Sequence, residues 1–81
     1  MNFKITEIQN QDNTQINVLV DIFRDNGNLL TKRVFILPDE LFSNLTKEQL
    51  VDWVATQVRV YKRTLAKEKD FKELINISYD I

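Results

Sequence analysis

Histidine and cysteine are both absent from this 81-residue chain, which removes the usual general base, the thiol nucleophile and most transition-metal ligand sets. The single glycine, Gly27, rules out a glycine-rich phosphate loop. No apolar run approaches the roughly 20 residues that a membrane-spanning helix requires. Neither sign of charge dominates: 11 basic and 12 acidic residues leave a net charge of −1, so no global field draws the protein to nucleic acid or anionic lipid. The amino end, Met1-Asn2-Phe3-Lys4, lacks the apolar stretch and small-residue cleavage site of a secretory signal. Together with the missing cysteines, this sets the expectation of a protein made in the cytoplasm. The 43% apolar and 28% charged content is that of an ordinary globular domain, of a size at which oligomerisation adds usefully to a modest core.

What is present is organised around a hairpin from Thr14 to Leu37, turning at Asp25-Asn26-Gly27-Asn28. Before the turn, Ile16, Val18, Val20 and Ile22 occupy alternate positions, and a strand sends alternate side chains to one face. After it, Leu29 to Leu37 can pair in two ways. A two-residue type I′ turn on Asn26-Gly27 sets Val20 against Arg33 and Ile22 against Thr31. A three-residue loop closed by a glycine bulge sets Ile16 against Ile36, Val18 against Val34 and Ile22 against Leu30. Because a one-residue slip moves a strand's whole apolar set to the other side, the bulged turn is preferred: it keeps one face apolar.

Phe3, Ile5 and Ile8 predict a first strand over about 2–8, with imperfect alternation near Glu7 that suits a bulge. It pairs most simply with the second, giving a meander of strands at about 2–8, 15–24 and 29–37. Gln9 to Asn13 is a polar turn, and one carboxylate among amides there falls far short of a calcium loop. Pro38 ends the third strand, and Asp39 to Phe42 suits a single helical turn. Leu45-Thr46-Lys47-Glu48-Gln49-Leu50 has the form of a capping box with a hydrophobic staple, Thr46 being the N-cap. Leu50, Val54, Val58, Tyr61 and Leu65 then gather into a stripe about 80° wide on a helix, which predicts a packed helix over about 47–66. Asp52, Arg59, Lys62 and Arg63 fall on its far side. Whether 67–70 continue as helix is left open by their good helix propensity and lack of an apolar face. Ile75, Ile77, Tyr79 and Ile81 alternate with polar residues, a period of two, which predicts a fourth strand over about 74–80. That strand could extend either sheet edge or pair with a neighbouring subunit. The fold class expected is α+β: a three-stranded antiparallel meander, one long amphipathic helix on a face, and a short C-terminal strand, all in one domain, 1–81.

No catalytic, cofactor or metal residues and no small-molecule site emerge. Asp39 and Glu40 suit a helix entrance, and Asp21 suits a cross-strand pair with Thr31 or Lys32. Arg59, Lys62, Arg63 and Lys67 form a possible nucleic-acid contact, but Glu68, Asp70 and Glu73 interrupt the patch, and a solvated helix face is the stronger reading. In the preferred register, the second sheet face carries Leu19, Phe23, Leu29, Phe35 and Leu37, with the long helix already committed to the first. Those five residues, with Trp53 and Val60 at the margin of the helix stripe and Ile75, Ile77 and Tyr79 in the tail, form the candidate protein interface. The competing reading is that residues 67–81 fold back over that face, or that its partial exposure is tolerated.

The short first strand, the long hairpin with its Asp-Asn-Gly turn, the Leu-Thr-Lys-Glu-Gln-Leu entry to an amphipathic helix and the charged tail resemble the layout of small uncharacterised proteins of tailed bacteriophages. The resemblance carries no functional residue across. It implies a small virion component or assembly accessory working through protein contacts in repeated copies. The expected function is a non-enzymatic interaction or structural module, a homo-oligomer or a part bound to other protein subunits, without a membrane; the alternative is a nucleic-acid-binding accessory using the basic helix face.

Overall fold

Alternation in the second strand decides the architecture. In a computed structural model describing residues 2–10 and 14–80, Ile16, Val18, Val20 and Ile22 are all buried while Asn17, Leu19, Asp21 and Phe23 between them are half-buried. This strand, β2 (Gln15–Phe23), is the middle of an antiparallel sheet between β1 (Phe3–Asn10) and β3 (Leu29–Pro38). The chain is thus an α+β fold, three antiparallel strands followed by α1 (Asp39–Ser43) and a long α2 (Lys47–Phe71). Residues 11–13, within the expected polar turn, and Ile81 lie outside the described residues.

The β2–β3 turn forms as expected, but the register does not. Gly27 N–H donates to Arg24 O at 2.9 Å, Arg24 N–H donates to Asn28 O at 2.8 Å, and Gly27 has φ +87°. This is a three-residue loop closed by a glycine in the left-handed region, where a Cβ is disfavoured. Phe23 then pairs with Leu29, and immediately afterwards a second irregularity shifts the ladder, so that Ile22 faces Thr31, Val20 faces Arg33, Val18 faces Phe35 and Ile16 faces Leu37. The one extra residue is Leu30, which packs against the core. The expected turn is therefore combined with the register that the sequence reading set aside. Phe35 and Leu37 belong to the core face, and Val34 and Ile36 belong to the other. On β1 the irregularity falls between Ile5 and Glu7, as the broken alternation there anticipates. The Thr6 hydroxyl at that step donates to Leu19 O at 3.1 Å.

The capping box at the start of α2 is complete: Gln49 N–H donates to Thr46 Oγ1 at 3.2 Å and Thr46 N–H to Gln49 Oε1 at 2.9 Å. From there the stripe lands on the sheet. Val54 and Val58 are buried with Ile16, Val18, Val20, Ile22 and Leu37 to form the core, and Leu50, Trp53 and Tyr61 pack around it. Each of the two valines contributes about 1.5–3 kcal/mol by its burial. Two flanking recesses fix the helix's direction. Its start lies with Phe42 against Ile8, while Ala55, Val58 and Arg59 lie with Asn2 and Phe3.

α2 outruns the expected helix. It continues to Phe71, followed by a 3-10 turn at Lys72–Leu74, because Lys67, Glu68 and Lys69 favour helix without needing a surface to cover. Everything from Arg63 to Asp80 is exposed. The expected fourth strand over 74–80 does not form: Ile75–Asp80 carry no strand, and the sheet among the described residues has three. A period-two pattern produces a strand only where an edge is within reach, and α2 carries this segment away from its own sheet. The extension shows in the radius of gyration, 16.3 Å, against about 12 Å for a compact chain of this length.

Candidate functional site

Among the described residues, none covers the sheet face opposite α2. Its rows follow from the ladders: Lys4, Asp21 and Lys32 across one level, Glu7, Leu19 and Val34 across the next, and Gln9, Asn17 and Ile36 beyond, with Phe23 beside Leu29 at the hairpin end. Val34 is 50% exposed and Ile36 54%, although both are β-branched residues in the middle of a long strand. Leu29 is also exposed. Leu19 and Phe23 are half-buried by their strand neighbours. Asp21 is spoken for, with Lys32 Nζ 3.6 Å from its Oδ1, the cross-strand pairing anticipated for it.

Of the ten residues proposed for a protein interface, the structure gathers three on this face: Leu19, Phe23 and Leu29. Leu37 is fully buried on the other side. Phe35 meets Trp53 edge-to-face, their ring centroids 6.4 Å apart at 89°, so both serve the core. Val60 is exposed on the solvent side of α2. Ile75, Ile77 and Tyr79 are all exposed on the tail, with Phe71 and Leu74 ahead of them exposed as well. Sequence reasoning missed Val34 and Ile36. In the run Val34-Phe35-Ile36-Leu37 every residue is apolar, so alternation alone cannot say which pair faces in.

The four basic candidates do not form a common free surface. Arg59, Arg63 and Lys67 are exposed, but Lys62 turns back toward the sheet, contrary to its expected place on the solvent side. Its ammonium donates to Phe23 O at 2.8 Å and to Asn2 Oδ1 at 3.4 Å. A long aliphatic stem lets a lysine lie along apolar surface while its head finds acceptors. Lys67 Nζ lies 5.7 Å from the Phe71 ring centroid, a local contact on the extension. Arg33, on the core side of β3, escapes burial at the sheet margin with its guanidinium 4.7 Å from the Tyr61 ring centroid, a cation–π arrangement.

Two shallow recesses accompany these surfaces. One lies on the open face between Thr6, Leu19, Asp21 and Val34; the other separates Ile8 from Phe42, Leu45 and Leu50. Neither brings a nucleophile to a base. Among the described residues no group of three carboxylates could hold a metal ion, and no helix is long and apolar enough to cross a membrane. No family model matches the chain, and neither a curated protein nor a solved structure does. The fold and its surface therefore define the molecule: an α+β meander with one helix-covered face, one open face on which Leu19, Val34 and Ile36 stand among charged and polar residues, and a projecting apolar tail.

Proposed function

We propose that this protein acts through protein contacts and not catalysis, as a structural or interaction module that associates with itself or docks on a larger assembly. The observation carrying this reading is the open sheet face, where Val34 and Ile36 are each about half exposed and Val34 lies beside the half-buried Leu19. Adjacent exposed apolar side chains on a strand are where a protein partner would seat. A virion part present in repeated copies is the assembly that the phage-like layout suggests. The tail supports the same reading, since it adds five exposed apolar side chains between Phe71 and Tyr79.

Light scattering over a wide concentration range tests the proposal. The expected mass is at least twice the 9.6 kDa of one chain, or a stable complex with another protein. A 9.6 kDa species at every concentration, with no protein partner retained, would refute it.

A further inference from the structure

Resting on that reading, we infer that the self-association is strand addition: the tail, residues 75–80, pairs antiparallel with the free edge of β3 in a second copy of this chain. Two complementary features of the same molecule motivate this. One is an edge without a strand; the other is a strand pattern without an edge. Pairing would extend the tail at Asn76, which has φ +70° in the single chain, and release the Tyr79 hydroxyl from Leu74 O, to which it donates at 3.3 Å.

The two edges of the sheet are not equivalent. β1 is interrupted by its bulge near Thr6 and carries Lys4, Glu7 and Gln9, features that blunt an edge against addition. β3 also carries Lys32 and Arg33 and ends at Pro38, which has no N–H to donate, but it has no interruption from Thr31 to Pro38. Its backbone polarity is fixed by Asp39 N–H donating to Thr14 O at 3.0 Å. Residue 39 therefore faces β2, and since antiparallel pairs alternate, Phe35 and Leu37 also turn their amides and carbonyls inward. Val34 and Ile36 turn theirs outward, and these are the residues whose side chains stand on the open face.

The tail cannot serve its own β3. Lys62 marks the hairpin end of the sheet through its bond to Phe23 O. α2 continues nine residues further, to Phe71, a rise of about 14 Å, and the 3-10 turn adds about 6 Å. Six extended residues return at most about 20 Å, which brings them level with the hairpin and short of Val34 and Ile36. A second copy is under no such restriction.

Charge selects the direction and the register. Antiparallel pairing of Ile77 with Ile36 puts Tyr79 beside Val34 on the open face and Asp80 beside Arg33 on the other. A parallel strand would instead run Asp80 toward Asp39 and Glu40. Pairing β3 with β3 of a second copy would leave Arg33 without a counter-charge and the tail still unpaired.

Single cysteines in this cysteine-free chain provide the test. Opposed residues of a hydrogen-bonded antiparallel pair have Cα atoms about 5.5 Å apart, inside the range a disulfide spans. Ile36→Cys and Ile77→Cys chains, mixed and mildly oxidised, are expected to give the 36–77 disulfide in at least tenfold excess over 36–36 and 77–77. Lys4→Cys, on the blunted edge, is expected to form no comparable bridge to Ile77→Cys. Predominant 36–36 bridging, equal bridging from Lys4→Cys, or an intrachain bridge in the Ile36→Cys/Ile77→Cys double variant would each overturn the inference. If the unmodified chain still scatters as a dimer or larger while no 36–77 bridge forms, strand addition fails and self-association stands. A monomeric unmodified chain that retains no partner removes both.

Discussion

Leu37→Lys is expected to abolish cooperative folding, whereas the same change one residue earlier, Ile36→Lys, is expected to shift stability by no more than about 0.5 kcal/mol. Leu37 is 1% exposed, among Ile16 and the other core side chains, while Ile36 is 54% exposed on the open face. At Leu37 the substitution removes about 2–3 kcal/mol of apolar burial and adds the larger cost of an ammonium with no partner. A chain of 81 residues has a total stability of about 4–12 kcal/mol at typical values per residue, so the loss consumes most or all of it. Urea titration followed by circular dichroism reads both variants. Equal effects at the two positions would contradict the register, and a benign Leu37→Lys with a lethal Ile36→Lys would restore the one that the apolar pattern first favours.

Ile22→Ala should cost about 2–5 kcal/mol, lowering Tm by roughly 4–8 °C for each kcal/mol. Ile22 is completely buried, paired with Phe3 on one side and Thr31 on the other. It also sits at the step where β3 takes its extra residue, so the ladder irregularity limits how far the backbone can relax into the cavity. Leu65→Ala is the comparison. Leu65 belongs to the same apolar stripe in sequence, but it is already 36% exposed and lies one turn beyond Lys62, which bonds to Phe23 O at the sheet's hairpin end. Its loss should cost less than about 1 kcal/mol. Thermal melts of the two variants separate a helix anchored chiefly through Val54 and Val58 from one anchored along its whole stripe.

Much of the fold is legible in the sequence because local chemistry and the apolar pattern agree. Thr46 and Gln49 cap α2 as their spacing predicts, Gly27 closes the turn, and the even positions of β2 face the helix. The reading fails where a single residue acts through the ladder. Leu30 adds one position after a correctly placed turn and thereby exchanges the two faces of β3. The polar Thr31 and Arg33 point to the other register, yet Arg33 tolerates the core side because its guanidinium reaches Tyr61 at the margin. Lys62 misleads in the same way, its spacing placing it in solvent while its stem reaches back to Phe23. The tail fails for a different reason. Ile75, Ile77 and Tyr79 state a strand pattern correctly, but whether a strand forms depends on how far α2 carries them, and that length follows from the helix propensity of Lys67 to Lys69.

The candidate surface was half visible for the same reasons. Leu19, Phe23 and Leu29 sit on odd positions whose face is independent of the bulge: Leu19 and Phe23 belong to β2, and Leu29 precedes Leu30. Phe35 and Leu37 come after it, and their places on the open face pass to Val34 and Ile36.

The bond from Lys62 to Phe23 O divides α2 unevenly, and that division has a kinetic counterpart. Amide protons of the stretch that packs on the sheet, around Val54 and Val58, are expected to exchange with solvent deuterium mainly when the domain as a whole opens. Those from Arg63 onward exchange through fraying of the rod alone. One uninterrupted helix thus holds two clocks, a slow one through Val58 and a fast one approaching Phe71.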